Sequence, residues 1–107
     1  MRVLIDECVP HDIRLHLPGH SAATVTYMGW SGKKNGELLA LMAANGFEVL
    51  LTVDQNLRHQ QNLAATGVAA VVLIAGTTDL PDLIALMPSA CAALSSIKPG
   101  DVVEVTA

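Results

Sequence analysis

Apolar residues fall into short runs separated by polar stretches that carry glycine or proline, and the runs follow two different patterns. Residues 2–5, 49–53 and 69–75 are aliphatic and β-branched with almost no polar interruption, as expected of strands covered on both faces. A mixed Thr, Val and Ala stretch over 21–27 predicts another strand, and 102–105 predicts a last one after the Pro99-Gly100-Asp101 turn. The intervening stretches read as helices. Pro10 suits a first helical turn, and Pro18-Gly19 stops that helix near Leu17. Asn35 reads as an N-cap, with Leu38, Leu41, Met42 and Asn45 along one face and Gly46 as the stop. A short helix is expected over 60–66, ended by Gly67. Thr78 or Asp79 caps a further helix at Leu80-Pro81, which Pro88 bends or restarts and which ends between 94 and 97. Strands alternating with helices predict an α/β fold: a three-layer α/β/α sandwich around a mainly parallel sheet of about five strands, in one domain over residues 1–107.

Composition narrows the class. At 107 residues there is room for one core, and 51% hydrophobic content excludes a disordered chain. The mean hydropathy of +0.45 raises the question of a membrane. The longest apolar run, residues 68–75, is eight residues, well short of the roughly 20 that a spanning helix needs. An acidic pair, Asp6-Glu7, stands where a basic, apolar leader would be. Cys8 and Cys91 form neither a metal-type pair nor a disulfide framework, so a reducing cytoplasm is the expected setting. A net charge of −4 argues against coating nucleic acid by bulk electrostatics. It leaves open phosphodiester chemistry through a metal ion held by carboxylates.

The candidate chemistry collects by topology. In a parallel sheet the strand carboxyl ends share one edge, where ligands bind. Asp6-Glu7 follows the first strand and Asp54 follows the third, while Asn35 and Glu37 open a helix and Asp79 opens another. A helix-dipole or capping role accounts for Glu37 and Asp79 equally well. Asp6 and Asp54 are different: two half-desolvated carboxylates repel unless a cation or a donor lies between them. All-oxygen ligands point to Mg²⁺ or Mn²⁺. Cys8, His11 and His16 do not have zinc spacing.

Several segments, in order, carry a resemblance. Val3-Leu4-Ile5-Asp6-Glu7 with Pro10 after it, Gly19-His20, Gly29-Trp30, Asn35-Gly36-Glu37-Leu38-Leu39-Ala40-Leu41 and Leu51-Thr52-Val53-Asp54-Gln55-Asn56-Leu57 resemble the PIN-like nuclease families. The nearest resemblance is to the small stand-alone bacterial PIN-like proteins related to VapC-type toxins. It covers residues 1–63, and beyond them only the architecture agrees. The resemblance implies a divalent-metal ribonuclease in which Asp6, Glu37 and Asp54, with Glu7 beside the first, hold Mg²⁺ or Mn²⁺. An RNA substrate, a small antitoxin protein as partner and a homodimer come with it. Lys33, Lys34 and Arg58 then grip phosphates, Trp30 stacks a base or plugs the sheet edge, and Asn35 and Asn56 face the substrate. Both amides depart from the acidic residues usual in such families, which lowers the negative charge offered to an ion.

Two other readings use the same residues. A receiver domain also carries an acidic pair after its first strand and a phosphorylated aspartate after its third. Asp6-Glu7, Asp54, Thr77 and Lys98-Pro99 imitate that set. Alternatively, the chain is a catalytically weak PIN-like binding module.

Overall fold

Three strands form where the uninterrupted aliphatic runs stand: β1 (Arg2–Ile5), β3 (Val49–Thr52) and β4 (Ala69–Ile74). The edge strands are β2 (Ser21–Thr24) and β5 (Val102–Thr106). This computed structural model describes residues 1–59 and 63–106, the side chains of Arg58 and His59 excepted. The strands make one sheet in the order β2-β1-β3-β4-β5, and every pairing is parallel. Helices cover both faces, so the architecture is the α/β/α sandwich expected.

Alternation along the central strands divides the core. Val3, Ile5, Val49, Leu51, Val71 and Leu73 point to one face, where a 3-10 helix (His11–His16), α3 (Leu80–Ile84) and α4 (Met87–Leu94) supply Ile13, Leu83, Leu86, Met87 and Leu94. Leu4, Leu50 and Ala70 point to the other, against Leu38, Leu39 and Met42 of α1 (Asn35–Ala44) and Leu63 of α2 (Leu63–Thr66). Leu4, Leu50 and Leu51 are fully buried, each burial stabilising by about 1.5–3 kcal/mol relative to an exposed position. No helix among the described residues is long and apolar enough to cross a membrane.

Several local expectations shift. The segment after Pro10 is a 3-10 helix rather than an α-helix. It has only six residues before Leu17 leaves helical geometry at φ −122°, too few to reward the longer i→i+4 ladder. The second strand stops at Thr24, because the Thr24 hydroxyl accepts the Tyr27 N–H at 3.0 Å and its carbonyl accepts Met28 N–H at 3.1 Å, folding 24–28 into a turn. On α1 the buried set is Leu38, Leu39 and Met42, so the inward face includes Leu39 in place of the exposed Asn45. The stretch 55–59, between the third strand and the helix expected over 60–66, is a 3-10 helix (Gln55–His59). Of the helix expected over 60–66, the observed part is α2, and 60–62 lie outside the described residues. Pro88 sits in the first turn of α4 and separates it from α3. Gly46 ends α1 at φ +77°, where a Cβ would approach the Arg2 guanidinium at 3.2 Å. That guanidinium lies over the Phe47 ring, 4.3 Å from its centre.

Candidate functional site

The chain runs from β1 outward to β2, then back across β1 to β3, so the strand order reverses between β1 and β3. A crevice opens at the carboxyl ends of strands at such a reversal. Asp6 leaves β1 there and Asp54 leaves β3 there, both half-buried. Backbone pairing continues one residue past β1, with Asp6 N–H donating to the Leu51 carbonyl at 3.0 Å. That bond brings the first carboxylate against the end of β3.

Thr52 joins the two acids. It is the one polar residue of the β3 run and has no solvent exposure. Its hydroxyl donates to Asp6 Oδ2 at 2.8 Å and accepts the Asp54 backbone N–H at 3.1 Å. The Cys8 thiol stands 3.6 Å from the same oxygen. Since the single hydroxyl proton goes to a carboxylate, which only accepts, the thiol must be the donor in that last contact. One donor and two acceptor positions are then all filled, which is how a fully buried hydroxyl avoids a desolvation penalty. Burial pushes the Cys8 thiol above its ordinary pKa. The hydrogen bond from the Val53 backbone opposes this, and the nearby charge of Asp6 adds to it. A protonated thiol is the form this bond requires.

Asp54 is held from two further sides. The Asn56 backbone N–H donates to Oδ1 at 2.9 Å and the Asn35 amide donates to Oδ2 at 3.4 Å. Asn35 therefore works differently from the cap expected of it: Lys34 occupies the cap position, and Asn35, the first residue of α1, turns its side chain across to β3. The Asn56 side chain is exposed, and its backbone makes the contact. Asp6 Oδ1 accepts the Glu7 N–H at 2.9 Å, while Glu7 Oε1 accepts Gly32 N–H at 3.1 Å, anchoring the loop before α1.

Other candidates stand apart from this centre. Glu37 is exposed and lies 3.9 Å from the Lys33 ammonium, a surface pair between the loop before α1 and its first turn that partly neutralises the cation expected to grip phosphate. Trp30 packs edge-on against Phe47, ring centres 5.8 Å apart, so it plugs the sheet edge. Lys34 is exposed at the start of α1. The Arg58 side chain lies outside the described residues. Asp79 stands at the N-cap of α3 without a side-chain cap bond. Lys98 precedes β5 and shares a small hollow with Met1 and Glu48 at the amino ends of the strands, opposite Asp54. A receiver needs its lysine beside the phosphorylated aspartate, so this placement removes the main support for that alternative.

No family model, curated protein or solved structure matches the chain. What the site can do therefore rests on its own geometry. Among the described residues no three His, Cys, Asp or Glu side chains converge as a metal-holding group. An ion of the Mg²⁺ type keeps most of its water and takes one or two protein carboxylates plus a phosphate, and Asp6 and Asp54 are the carboxylates that would serve one here.

Thr52 was missed as a functional residue, although a lone hydroxyl in an aliphatic strand, two positions before an aspartate, was a readable signal. A groove of about 930 Å³ beside Asp6, bordered by β2, Arg14 and Tyr27, was also missed. It had no signal in the sequence, because it arises from the way the 3-10 helix stands off the edge strand.

Proposed function

We propose that the protein is a divalent-metal-dependent phosphodiester hydrolase acting on RNA, of the PIN-like type that its sequence resembles. The observation that carries this reading is the Thr52 hydroxyl, which ties Asp6 to the backbone of Asp54 at the reversal crevice. The Asp6 carboxylate, held by the Thr52 hydroxyl, and the Asp54 carboxylate, held by the Asn56 N–H and the Asn35 amide, would offer their oxygens to Mg²⁺ or Mn²⁺, with Glu7 beside the first.

Asp6 and Asp54 would hold the ion, and Asn35 and Asn56 hold the Asp54 carboxylate in position through its two oxygens. When bound, the ion supplies Lewis-acid stabilisation of charge on the phosphoryl group and acidifies water. The reaction is hydrolysis: a water oxygen bonds to phosphorus, the bond to the 3′-oxygen breaks, and that oxygen leaves as a hydroxyl after taking a proton. The products are a 5′-phosphate and a 3′-hydroxyl. With Asn35 and Asn56 neutral, the site carries less negative charge than an all-acidic one, so weak ion affinity and slow turnover are expected. Glu37, tied to Lys33, has a supporting part at most. On this reading the protein works in the cytoplasm, and a small antitoxin-type protein or a second copy would be its protein partner.

The test is cleavage of a single-stranded RNA with and without Mg²⁺ or Mn²⁺. Metal-dependent 5′-phosphate products are expected, falling at least about a hundredfold in Asp6→Asn and Asp54→Asn. Equal cleavage by the parent and both variants would refute the assignment.

A further inference from the structure

The groove beside Asp6 runs along the open edge of β2. Its volume of about 930 Å³ is near the upper end of the roughly 300–1,000 Å³ usual for ligand sites. Because β2 pairs only with β1, and alternate residues turn their backbone toward that neighbour, Ala22 and Thr24 turn their N–H groups outward. Hydroxyls of Ser21, Thr26 and Thr78 border the same space.

Two side chains give this surface a direction. Arg14, exposed on the 3-10 helix, has no ion-pair partner among the described residues, whereas Lys33 is drawn to Glu37 and His11 to Asp12. Tyr27 is 83% exposed, the most exposed large apolar side chain described. An unpaired guanidinium, a free aromatic face and a row of hydrogen-bond donors match the needs of a single nucleic-acid strand: phosphate contact, base stacking and polar contact with sugar and phosphate. The groove's aliphatic side chains are small, offering little pocket for the alternate side chains of a docking peptide strand.

We propose that this groove is a binding track for single-stranded RNA, with Arg14 on a backbone phosphate and Tyr27 stacked on a base, leading the strand to Asp6. The proposal rests on the phosphodiester reading of the Asp6–Asp54 pair, and it moves the grip on substrate from Lys33, Lys34 and Trp30 to Arg14 and Tyr27.

The experiment is fluorescence anisotropy of a labelled single-stranded RNA 10-mer of mixed sequence, titrated in EDTA so that no cleavage intervenes. The parent protein should bind saturably. Arg14→Ala should weaken binding about fivefold and flatten the dependence of log affinity on log salt by about 0.7. Tyr27→Ala should weaken it about tenfold while Tyr27→Phe binds like the parent, since stacking needs the ring and not the hydroxyl. Lys98→Ala, at the far end of the sheet, should change nothing. Circular dichroism checks folding, which these exposed positions should not disturb. An oligomer that fails to bind, or that binds Arg14→Ala and Tyr27→Ala as it binds the parent, overturns the proposal and leaves the β2 edge to strand addition by a protein. The two ideas fail separately. Binding that depends on Arg14 and Tyr27 without any metal-dependent cleavage supports the track and sinks the hydrolase. Cleavage lost in Asp6→Asn but untouched by the groove variants does the reverse.

Discussion

Asp6 and Asp82 both stand near the carboxyl edge of the sheet and both accept a threonine hydroxyl, at 2.8 and 2.5 Å. What the two bonds hold together differs. Thr77 and Asp82 are five residues apart and both exposed, and the same hydroxyl accepts the Asp79 N–H at 3.1 Å. That arrangement closes the start of α3 on itself, and every group in it has water as an alternative partner. Thr52 and Asp6 are forty-six residues apart, and Thr52 has no access to water. Their bond exists only when β1 and β3 are paired, and breaking it leaves a buried donor or acceptor with nothing to replace it. An acid bonded locally at a helix start is a cap. An acid bonded across strands by a buried hydroxyl is held for a position.

Removing the two hydroxyls in parallel should break the resemblance between the regions. Thr52→Val keeps the shape of the side chain but strands Asp6 Oδ2, the Asp54 N–H and the Cys8 thiol together. It should lower unfolding free energy by about 2–3 kcal/mol in urea titrations. Thr52→Ser keeps the hydroxyl and loses a methyl group, so a loss of about 1 kcal/mol is expected, with RNA cleavage retained. Thr77→Val should cost no more than about 0.5–1 kcal/mol and leave cleavage unchanged. If the two valine variants lose equal stability, the distinction between a cross-strand lock and a cap is wrong.

The amide that faces Asp54 sharpens the comparison further. Asn35→Asp sets a second carboxylate against Asp54 in place of a donor. Without metal this should destabilise the fold by about 0.5–1 kcal/mol through like-charge repulsion. With Mn²⁺ present, the added negative ligand should tighten ion binding. The thermal midpoint should therefore fall in EDTA, and the rise on adding Mn²⁺ should exceed that of the parent. The corresponding change near the cap, Thr77→Asp, should leave the rise on adding Mn²⁺ no larger than the parent's.

The strands were legible because parallel strands buried on both faces need unbroken aliphatic runs, and β1, β3 and β4 have them. The convergence of Asp6 and Asp54 followed from the same fact, since both acids end such runs. The part of Asn35 was not legible. Asn is a good cap in isolation, and only the tertiary placement of β3 offers its amide a carboxylate. Glu37 was read into the centre because it opens the same helix as Asn35 and matches by position the helix acid that the resemblance implies. The angular position of α1, fixed by Leu38, Leu39 and Met42 packing inward, leaves it facing Lys33 and solvent. The groove was the least legible feature, because it is bounded by a 3-10 helix that the spacing of Pro10 and Pro18 does not distinguish from an α-helix.

The smallest effect expected is also the most direct probe of the hydroxyl's proton. In the folded protein Cys8 must donate to Thr52, and burial together with the Asp6 charge favours its neutral thiol. Its folded pKa therefore lies above its unfolded one. The stability this contributes is fully present below the unfolded pKa and is lost as pH rises through the folded value. Alkylation of Cys8 by iodoacetamide, followed by mass spectrometry of the Cys8 peptide, should accordingly rise at higher pH in the native protein than in urea. The charge of Asp6 contributes to this shift. Asp6→Asn removes a negative charge and should move the midpoint down, toward the unfolded value. A native profile that coincides with the urea profile would mean that the thiol does not complete the hydroxyl's bonding, and that Thr52 joins the two aspartates with one acceptor position left empty.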